Sequence, residues 1–173
     1  AGGEMPGVAY ATPSLFVGCK AISTPEDGMS LVAVDYWESV WQEIGARIYR
    51  MTPAEHDDIF AQVSHLPHVL AYALVDAMAR SEGAATKFSF VGAVFRDFTR
   101  IAASSPKMWR DICLANRDAI LASLDMFEGG LAALREAIEK GDGDALQASF
   151  ERACQARRTV STRPAPSRAA LAK

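Results

Sequence analysis

The sequence predicts a mainly α-helical protein whose first 51 residues contain a strand–helix–strand unit. Two observations lead to this prediction. From residue 52 onward, apolar residues recur at the 3.6-residue spacing of amphipathic helices, between clear helix-capping residues. Before residue 52, two short stretches of β-type residues flank one helical stretch. We therefore expect three segments: residues 1–51, a helical domain over residues 52–160, and a disordered tail over residues 161–173.

The first segment is typical of part of a parallel sheet. Residues 20–24 predict a strand, residues 31–44 a helix that ends at Gly45, and residues 46–51 a second strand. One strand–helix–strand unit is not stable alone, because parallel strands need cover on both faces and partners at both edges. The rest of the sheet is therefore expected to come from other residues.

The helical segment begins with a recognisable start signal. From Thr52 to Glu55 the sequence combines an N-cap, a proline at the first helical position and a glutamate that closes a capping box. Ser64 predicts the cap of a second helix, which ends near Gly83, and residues 94–103 predict a third.

The second half of the helical domain is dominated by one long apolar pattern. Ser105 and Pro106 predict a helix start, and the run to residue 140 is too long for one helix, so we expect a break at Asn116, a good N-cap. A last helix is expected over residues 145–158. The stripe exceeds what a small bundle buries and therefore predicts burial against a second copy of the chain; it comprises Leu114, Ile120, Leu121, Leu124, Phe127, Leu131, Leu134 and Ile138.

Composition excludes several classes of protein. Of the 173 residues, 50% are hydrophobic and 23% charged, so the chain buries a core. The net charge of −3 argues against nucleic acid as a partner, and no apolar run is long enough to span a membrane. Three widely spaced cysteines form neither a disulfide framework nor a metal motif, which favours a cytoplasmic location.

Three histidines, His56, His65 and His68, fall within 13 residues. They allow three interpretations. His65 and His68 form a metal pair completed by Asp57 or His56, or the histidines cap helices and bond within the core, or they form hydrogen bonds to an oxygen-rich ligand. The H-E-x-x-H spacing of helical zinc sites is absent, so no metal is predicted.

Arg100 and Trp109 are the other candidate ligand contacts. The helical spacing puts Arg100 beside an apolar face, where a guanidinium needs an acidic partner. That partner is Asp97, Glu4 or the carboxylate of a ligand, and spacing alone favours a protein carboxylate. Trp109 either packs in the core or forms the wall of a pocket for a ring-shaped ligand.

Four blocks of sequence, in order, resemble the prephenate/arogenate dehydrogenase family: Glu55-His56-Asp57, Val63-Ser64-His65-Leu66-Pro67-His68, Phe95-Arg96-Asp97-Phe98-Thr99-Arg100-Ile101-Ala102-Ala103-Ser104, and Met108-Trp109-Arg110-Asp111-Ile112. The resemblance extends from Ala1 to about Arg158. The family joins an N-terminal Rossmann-like NAD(P) domain to a helical dimerisation domain that is similar to the C-terminal domain of 6-phosphogluconate dehydrogenase. By this resemblance, residues 1–51 are the end of the nucleotide domain, and residues 52–160 are the dimerisation domain.

The resemblance implies an oxidoreductase of tyrosine biosynthesis. It would carry out the oxidative decarboxylation of prephenate or arogenate with NAD or NADP, with NAD favoured, as a homodimer. The family's catalytic histidine would fall just before Ala1, so no catalytic residue is expected in this chain, and the nucleotide would bind mainly to upstream residues. The chain then represents a carboxy-terminal portion that is inactive alone.

The same resemblance implies roles for individual residues. Arg100 matches the arginine that binds the ring carboxylate, and His68 matches a substrate-site histidine. Asp57 and Trp109 match positions that approach the site from the partner subunit. A backbone contact to substrate is expected at Gly92.

The chain departs from the family pattern at two glycine-rich places. Gly2 and Gly3 match the pair near the cofactor, but Gly3 stands where a serine or threonine often contacts the substrate or cofactor. The family's glycine run before Phe95 is reduced to Gly92 and Ala93. Moreover, Gly2, Gly3 and Gly7 do not form the G-x-G-x-x-G dinucleotide motif, because Glu4 stands where the second glycine would have to be.

Two alternatives to this function remain. One is a dehydrogenase or reductase of another class with the same two-domain plan. The other is a non-catalytic helical dimerisation module.

Overall fold

The structure is a computed structural model that describes residues 14–160, which group into two compact units. One unit contains the residues up to His56 together with those from Gln147 on, and the other contains Asp57–Leu146. Helices make up most of the described residues, and the only strands in the described part of the chain form one two-stranded sheet. The mainly helical fold predicted from the sequence is confirmed.

The first unit contains the predicted strand–helix–strand arrangement. Strand β1 is Lys20–Ser23, helix α1 is Leu31–Glu43 and strand β2 is Arg47–Arg50. The two strands are parallel, with Lys20 opposite Arg47 and Ser23 opposite Arg50. A parallel pair requires a crossover connection, which α1 supplies.

Gly45 makes the tight connection between α1 and β2. It follows the C-cap residue Ile44 and adopts φ +90°. A Cβ atom at this position would lie only 3.0 Å from Cγ2 of Val17. Both the left-handed backbone and the close approach therefore require glycine.

An exposed ion-pair cluster joins the end of β2 to α1. Arg50 donates to Asp35 Oδ1 over 2.7 Å and to both carboxylate oxygens of Glu38 over 2.9 and 2.8 Å. The hydrogen bond from Arg50 is the main reason that the pKa of Glu38 is lowered. Because Arg50 and Asp35 are exposed, their ion pair is expected to contribute little to stability.

Helix α2, Pro53–Phe60, begins with the capping box that the sequence predicts. The Glu55 N–H donates to Thr52 Oγ1 over 3.2 Å, and the Thr52 N–H donates to Glu55 Oε2 over 2.8 Å. These bonds to Thr52, with the backbone one largest, lower the pKa of the Glu55 carboxyl.

The prediction that Ser64 caps a second helix is wrong. Residues Ala61–His65 form a π-helical turn that connects α2 directly to helix α3, Leu66–Ala79. The Leu66 N–H bonds to the carbonyl of Ala61, five residues earlier. We attribute this turn to Pro67, because a proline inside an α-helix lacks the N–H donor and clashes with the carbonyl four residues before it.

The remaining helices largely follow the predicted order. The predicted helix over 94–103 is α5, Ala93–Thr99, continued by a 3-10 turn, Arg100–Ala103. A short helix that the sequence did not predict, α4, precedes it over Ala84–Ser89. The last three helices are α6, Pro106–Ala115, α7, Arg117–Lys140, and α8, Gly143–Thr159.

The ends of α6 and α7 lie where the sequence places them. Ser105 caps α6, because its Oγ accepts the N–H of Met108 over 3.4 Å. Gly141 ends α7 with φ +65°, and Asp142 Oδ1 accepts the Ala145 N–H at the start of α8. The break at Asn116 is confirmed, although the side chain of this residue does not cap α7 within the described structure.

The core of the helical unit is small and lies where the π turn, α3 and α7 pack together. Its buried apolar residues are Ala61, Leu66, Ala71, Trp109, Ile120 and Ala137. Much of the predicted apolar stripe is exposed in the single chain, including Leu114, Leu121, Leu131 and Ile138. Among residues 14–160, no helix is both long and apolar enough to cross a membrane.

Candidate functional site

Three rings predicted to matter for function meet in the helical unit. The His68 ring stacks on Trp109 with 3.6 Å between ring centroids and an angle of 20° between the planes. His65 meets the same indole edge-on, with 6.1 Å between centroids. We call these three residues the histidine–tryptophan cluster.

His68 is oriented by the backbone of the π turn. Its Nδ1 lies 2.9 Å from the carbonyl oxygen of Ser64. Because a carbonyl only accepts hydrogen bonds, Nδ1 must carry the hydrogen, and Nε2 of the neutral ring is left with its lone pair. The half-buried ring therefore presents an acceptor at Nε2.

His65 is oriented by a residue 51 positions later in the chain. Its Nδ1 lies 3.2 Å from the amide nitrogen of Asn116, at the junction of α6 and α7. The same amide nitrogen donates to the carbonyl oxygen of Asp57 over 2.8 Å. Asn116 thus links the π turn and α2 to this junction.

Trp109 is the most deeply buried large side chain of the cluster, with 8% of its surface exposed. No acceptor among residues 14–160 reaches its buried indole Nε1. A buried donor without a partner is unfavourable, so this atom marks a place where a polar ligand atom or water is favoured.

The loop before Trp109 is attached to α3. The Tyr72 hydroxyl donates to the carbonyl oxygen of Ser104 over 2.7 Å. Ser105 then begins α6, so the indole of Trp109 follows one turn after a fixed point. This attachment explains how a residue 41 positions after His68 stacks on it with little freedom.

Arg100 lies at the first position of the 3-10 turn, which packs against α3. Its side chain is exposed in the single chain, as is Phe98, whereas Phe95 and Ile101 are half-buried. The apolar face that the sequence places beside Arg100 is therefore only partly buried. The predicted contact of Arg100 with a ligand carboxylate stays a prediction.

The other predicted contacts have simpler surroundings. Asp57 is exposed, and its carbonyl oxygen accepts from Asn116. Gly92 precedes α5 in extended backbone, and a Cβ atom there would meet nothing within 4 Å, so this position does not require glycine sterically. Gly2 and Gly3 lie outside the described residues.

A metal site was one interpretation of the three histidines in the sequence. Within residues 14–160, no group of three or more histidine, cysteine, aspartate or glutamate side chains is placed to hold a metal ion. None of Cys19, Cys113 and Cys154 forms a disulfide, and burial raises the pKa of the Cys113 thiol, which makes it a poor nucleophile.

The sequence interpretation missed the role of Asn116. It identified this residue as a helix break because asparagine is a good N-cap. Nothing in the spacing of the sequence indicates that its amide reaches residues 51 and 59 positions earlier. Only a contact between distant segments reveals it.

Comparison with known proteins places the chain in context. Residues 52–152 match the family model described as prephenate dehydrogenase, dimerization domain. The chain is 38% identical over 164 residues to cyclohexadienyl dehydrogenase of Zymomonas mobilis, which covers 94% of this chain and 56% of that protein. It is 36% identical over 154 residues to prephenate dehydrogenase of Bacillus subtilis, which covers 88% of this chain and 42% of that protein.

A solved structure is similar over the same region. The prephenate dehydrogenase from A. aeolicus, in complex with hydroxyphenyl propionate and NAD+, superposes with a TM-score of 0.78 at 35% identity. The match covers 88% of this chain and 54% of the solved chain. This chain thus spans about half the length of the curated relatives that it matches.

Proposed function

The chain belongs to the prephenate dehydrogenase family, and from this premise we propose that it supplies the dimerisation and substrate-binding part of an NAD(P)-dependent prephenate dehydrogenase. Arogenate, which differs from prephenate only in its side chain, is the alternative substrate. The observation that carries the proposal is the histidine–tryptophan cluster, because the family blocks that contain these rings, far apart in sequence, meet in one place.

The proposed reaction is an oxidative decarboxylation. A hydride leaves the ring carbon that bears the hydroxyl, the hydroxyl gives up its proton, and carbon dioxide leaves the opposite ring carbon as the ring becomes aromatic. The nicotinamide cofactor, when bound, supplies the hydride acceptor. The described residues contribute by holding the substrate in position, which is a major source of rate enhancement in reactions of this kind.

Each predicted site residue has a task that suits its chemistry. Arg100 has the planar, permanently charged group suited to a ring carboxylate. The lone pair on His68 Nε2 suits a hydroxyl donor. Trp109 supplies a flat apolar wall for a six-membered ring, and its buried Nε1 is a donor that needs an acceptor.

The described residues do not fit a dinucleotide. The loop between β1 and α1 has a single glycine, Gly28, and carries the acidic side chains Glu26 and Asp27, which repel a pyrophosphate. We therefore propose that NAD or NADP, with NAD favoured, binds mainly to other residues of the full-length protein. Gly2 and Gly3 are proposed to lie near that cofactor.

A homodimer completes the proposal. Exposed apolar residues on one face of α7, among them Phe127, Leu131 and Ile138, form a surface that a second copy would cover. In that dimer Asp57 is proposed to approach the site of the partner subunit, whereas Trp109, which stacks on His68 of its own chain, is proposed to line the site of its own subunit. A cytoplasmic location is proposed because the three cysteines are widely spaced and form no disulfide with one another.

Turnover of prephenate with NAD+ by the full-length protein, followed as NADH formation, tests the function. We expect turnover, and we expect Arg100→Ala to lower kcat/KM by roughly tenfold or more, because a charge-assisted hydrogen bond to the carboxylate is lost. Arg80→Ala is the matched control, since Arg80 is exposed and pairs with Asp76, four residues earlier on the same helix face. Turnover that is absent, or that Arg100→Ala leaves unchanged in a folded protein, contradicts the proposal.

A further inference from the structure

Asn116, the only asparagine of the sequence, lies between α6 and α7 and belongs to neither helix. Its backbone serves both of them: its N–H donates to the carbonyl of Ile112, and its carbonyl accepts the N–H of Ile120. An asparagine at such a position ordinarily turns its side chain back to cap the next helix. Within the described structure it makes no such cap, so its amide is available for another task.

The side-chain amide nitrogen of Asn116 donates to two acceptors that are distant in sequence. One N–H reaches the carbonyl oxygen of Asp57 over 2.8 Å, and the other reaches Nδ1 of His65 over 3.2 Å. A primary amide nitrogen has two hydrogens, so both bonds form at the same time. The carbonyl of Asp57 only accepts, which orients the amide with its nitrogen toward both groups.

The bond to His65 decides which of its nitrogens carries a hydrogen. Because Asn116 donates to Nδ1, the neutral ring of His65 carries its hydrogen on Nε2. His68 has the opposite arrangement, since its Nδ1 donates to the carbonyl of Ser64. The two histidines that flank Trp109 are therefore different tautomers.

We propose that Asn116 is a positioning residue that holds His65 as its Nε2–H tautomer, so that the two histidines of the histidine–tryptophan cluster carry their hydrogens on opposite ring nitrogens, Nε2 in His65 and Nδ1 in His68. Such a pair suits a ligand that carries both carboxylate and hydroxyl groups. The link to substrate rests on the proposed function, whereas the tautomer itself depends only on the contacts in this chain.

Nitrogen-15 NMR of the full-length protein labelled in its histidines tests the tautomer directly, because an unprotonated ring nitrogen and one that bears hydrogen have well-separated shifts. In the wild-type protein we expect hydrogen on Nε2 of His65 and on Nδ1 of His68. In Asn116→Asp the carboxylate only accepts, so we expect the hydrogen to appear on Nδ1 of His65. His68 should not change and serves as the internal reference.

Two further variants complete the design. Asn116→Ala removes the donor without adding charge and should leave His65 as a mixture of tautomers. Gln62→Ala, in the same π turn, removes an exposed amide that contacts Asp58, and should change neither histidine. Hydrogen on Nδ1 of His65 in the wild-type protein overturns the proposal, even where no Asn116 variant folds.

Kinetics separate this proposal from the proposed function. If prephenate is the substrate, Asn116→Ala should raise KM for prephenate by about fivefold to tenfold, the effect of one misplaced hydrogen bond, with the KM for NAD+ unchanged. An unchanged KM for prephenate overturns the link between the tautomer and the substrate. Absence of any prephenate turnover, together with the expected tautomers, overturns the proposed function while the role of Asn116 stands.

Discussion

The two halves of α7 are both rich in apolar side chains but have different surroundings. In the first half, Ile120 and Ser123 are each only 4% exposed, and this part of the helix packs near the π turn. In the second half, Leu131 is 54% and Ile138 is 66% exposed. One continuous helix thus supports the site at its start and presents an apolar surface further along.

This difference shows that one sequence pattern serves two purposes. A helical apolar stripe indicates a buried face, but it does not say whether the same chain or another copy buries it. In α7 the described chain buries Ile120 near Asn116, where the histidine–tryptophan cluster is held, and further along it buries Ala137 but leaves Leu131 and Ile138 exposed. The two halves should therefore respond differently to equivalent substitutions.

Truncation of a side chain in the first half should have the largest effect. Ile120→Ala is expected to lower the free energy of unfolding by about 2–4 kcal/mol, because it leaves a cavity in a packed core. Leu131→Ala should cost less than about 1 kcal/mol under conditions where the protein is monomeric, since this side chain is already half exposed. Urea denaturation followed by circular dichroism measures both values. Equal losses of unfolding free energy in Ile120→Ala and Leu131→Ala would contradict the difference between the two halves of α7.

A charge in the second half should separate subunits without unfolding them. Ile138→Asp is expected to shift the protein from dimer to monomer at micromolar concentration, as measured by light scattering, because a carboxylate cannot be buried unpaired in an apolar interface. Lys140→Asp is the control, since two residues correspond to about 200° of rotation around the helix and place the new charge on the opposite face. A wild-type monomer, or an unchanged dimer in Ile138→Asp, would contradict the proposed role of this surface.

Local signals in the sequence predict much of the fold. The capping box at Thr52, the glycine that ends α1 and the cap at Ser105 all depend on residues within four positions, and each is confirmed. The π turn was missed because Ser64, three residues before Pro67, favours a new helix start locally, whereas the chain continues through a wider turn. Short-range sequence patterns do not show whether a new helix starts here or the existing helix continues through a π turn.

The candidate site is predicted less completely. The sequence singled out His65, His68 and Trp109, but only the folded chain shows that their rings touch. The sequence predicted Asn116 as a helix N-cap, but its side chain instead donates to acceptors that lie 51 and 59 residues earlier in the chain. The orientation of a histidine therefore depends on contacts that no local window of sequence includes.

The most direct test of the central claim concerns His68, whose two ring nitrogens are predicted to have separate tasks. In His68→Asn the amide nitrogen takes the place of Nδ1 and keeps the bond to the Ser64 carbonyl, while nothing replaces Nε2. In His68→Gln the amide oxygen takes the place of Nε2. With prephenate and NAD+, we predict that His68→Gln retains about tenfold more kcat/KM than His68→Asn, because it keeps the acceptor that is proposed to bind the substrate. Equal activity, or greater activity in His68→Asn, would contradict the claim that the histidine–tryptophan cluster binds the substrate.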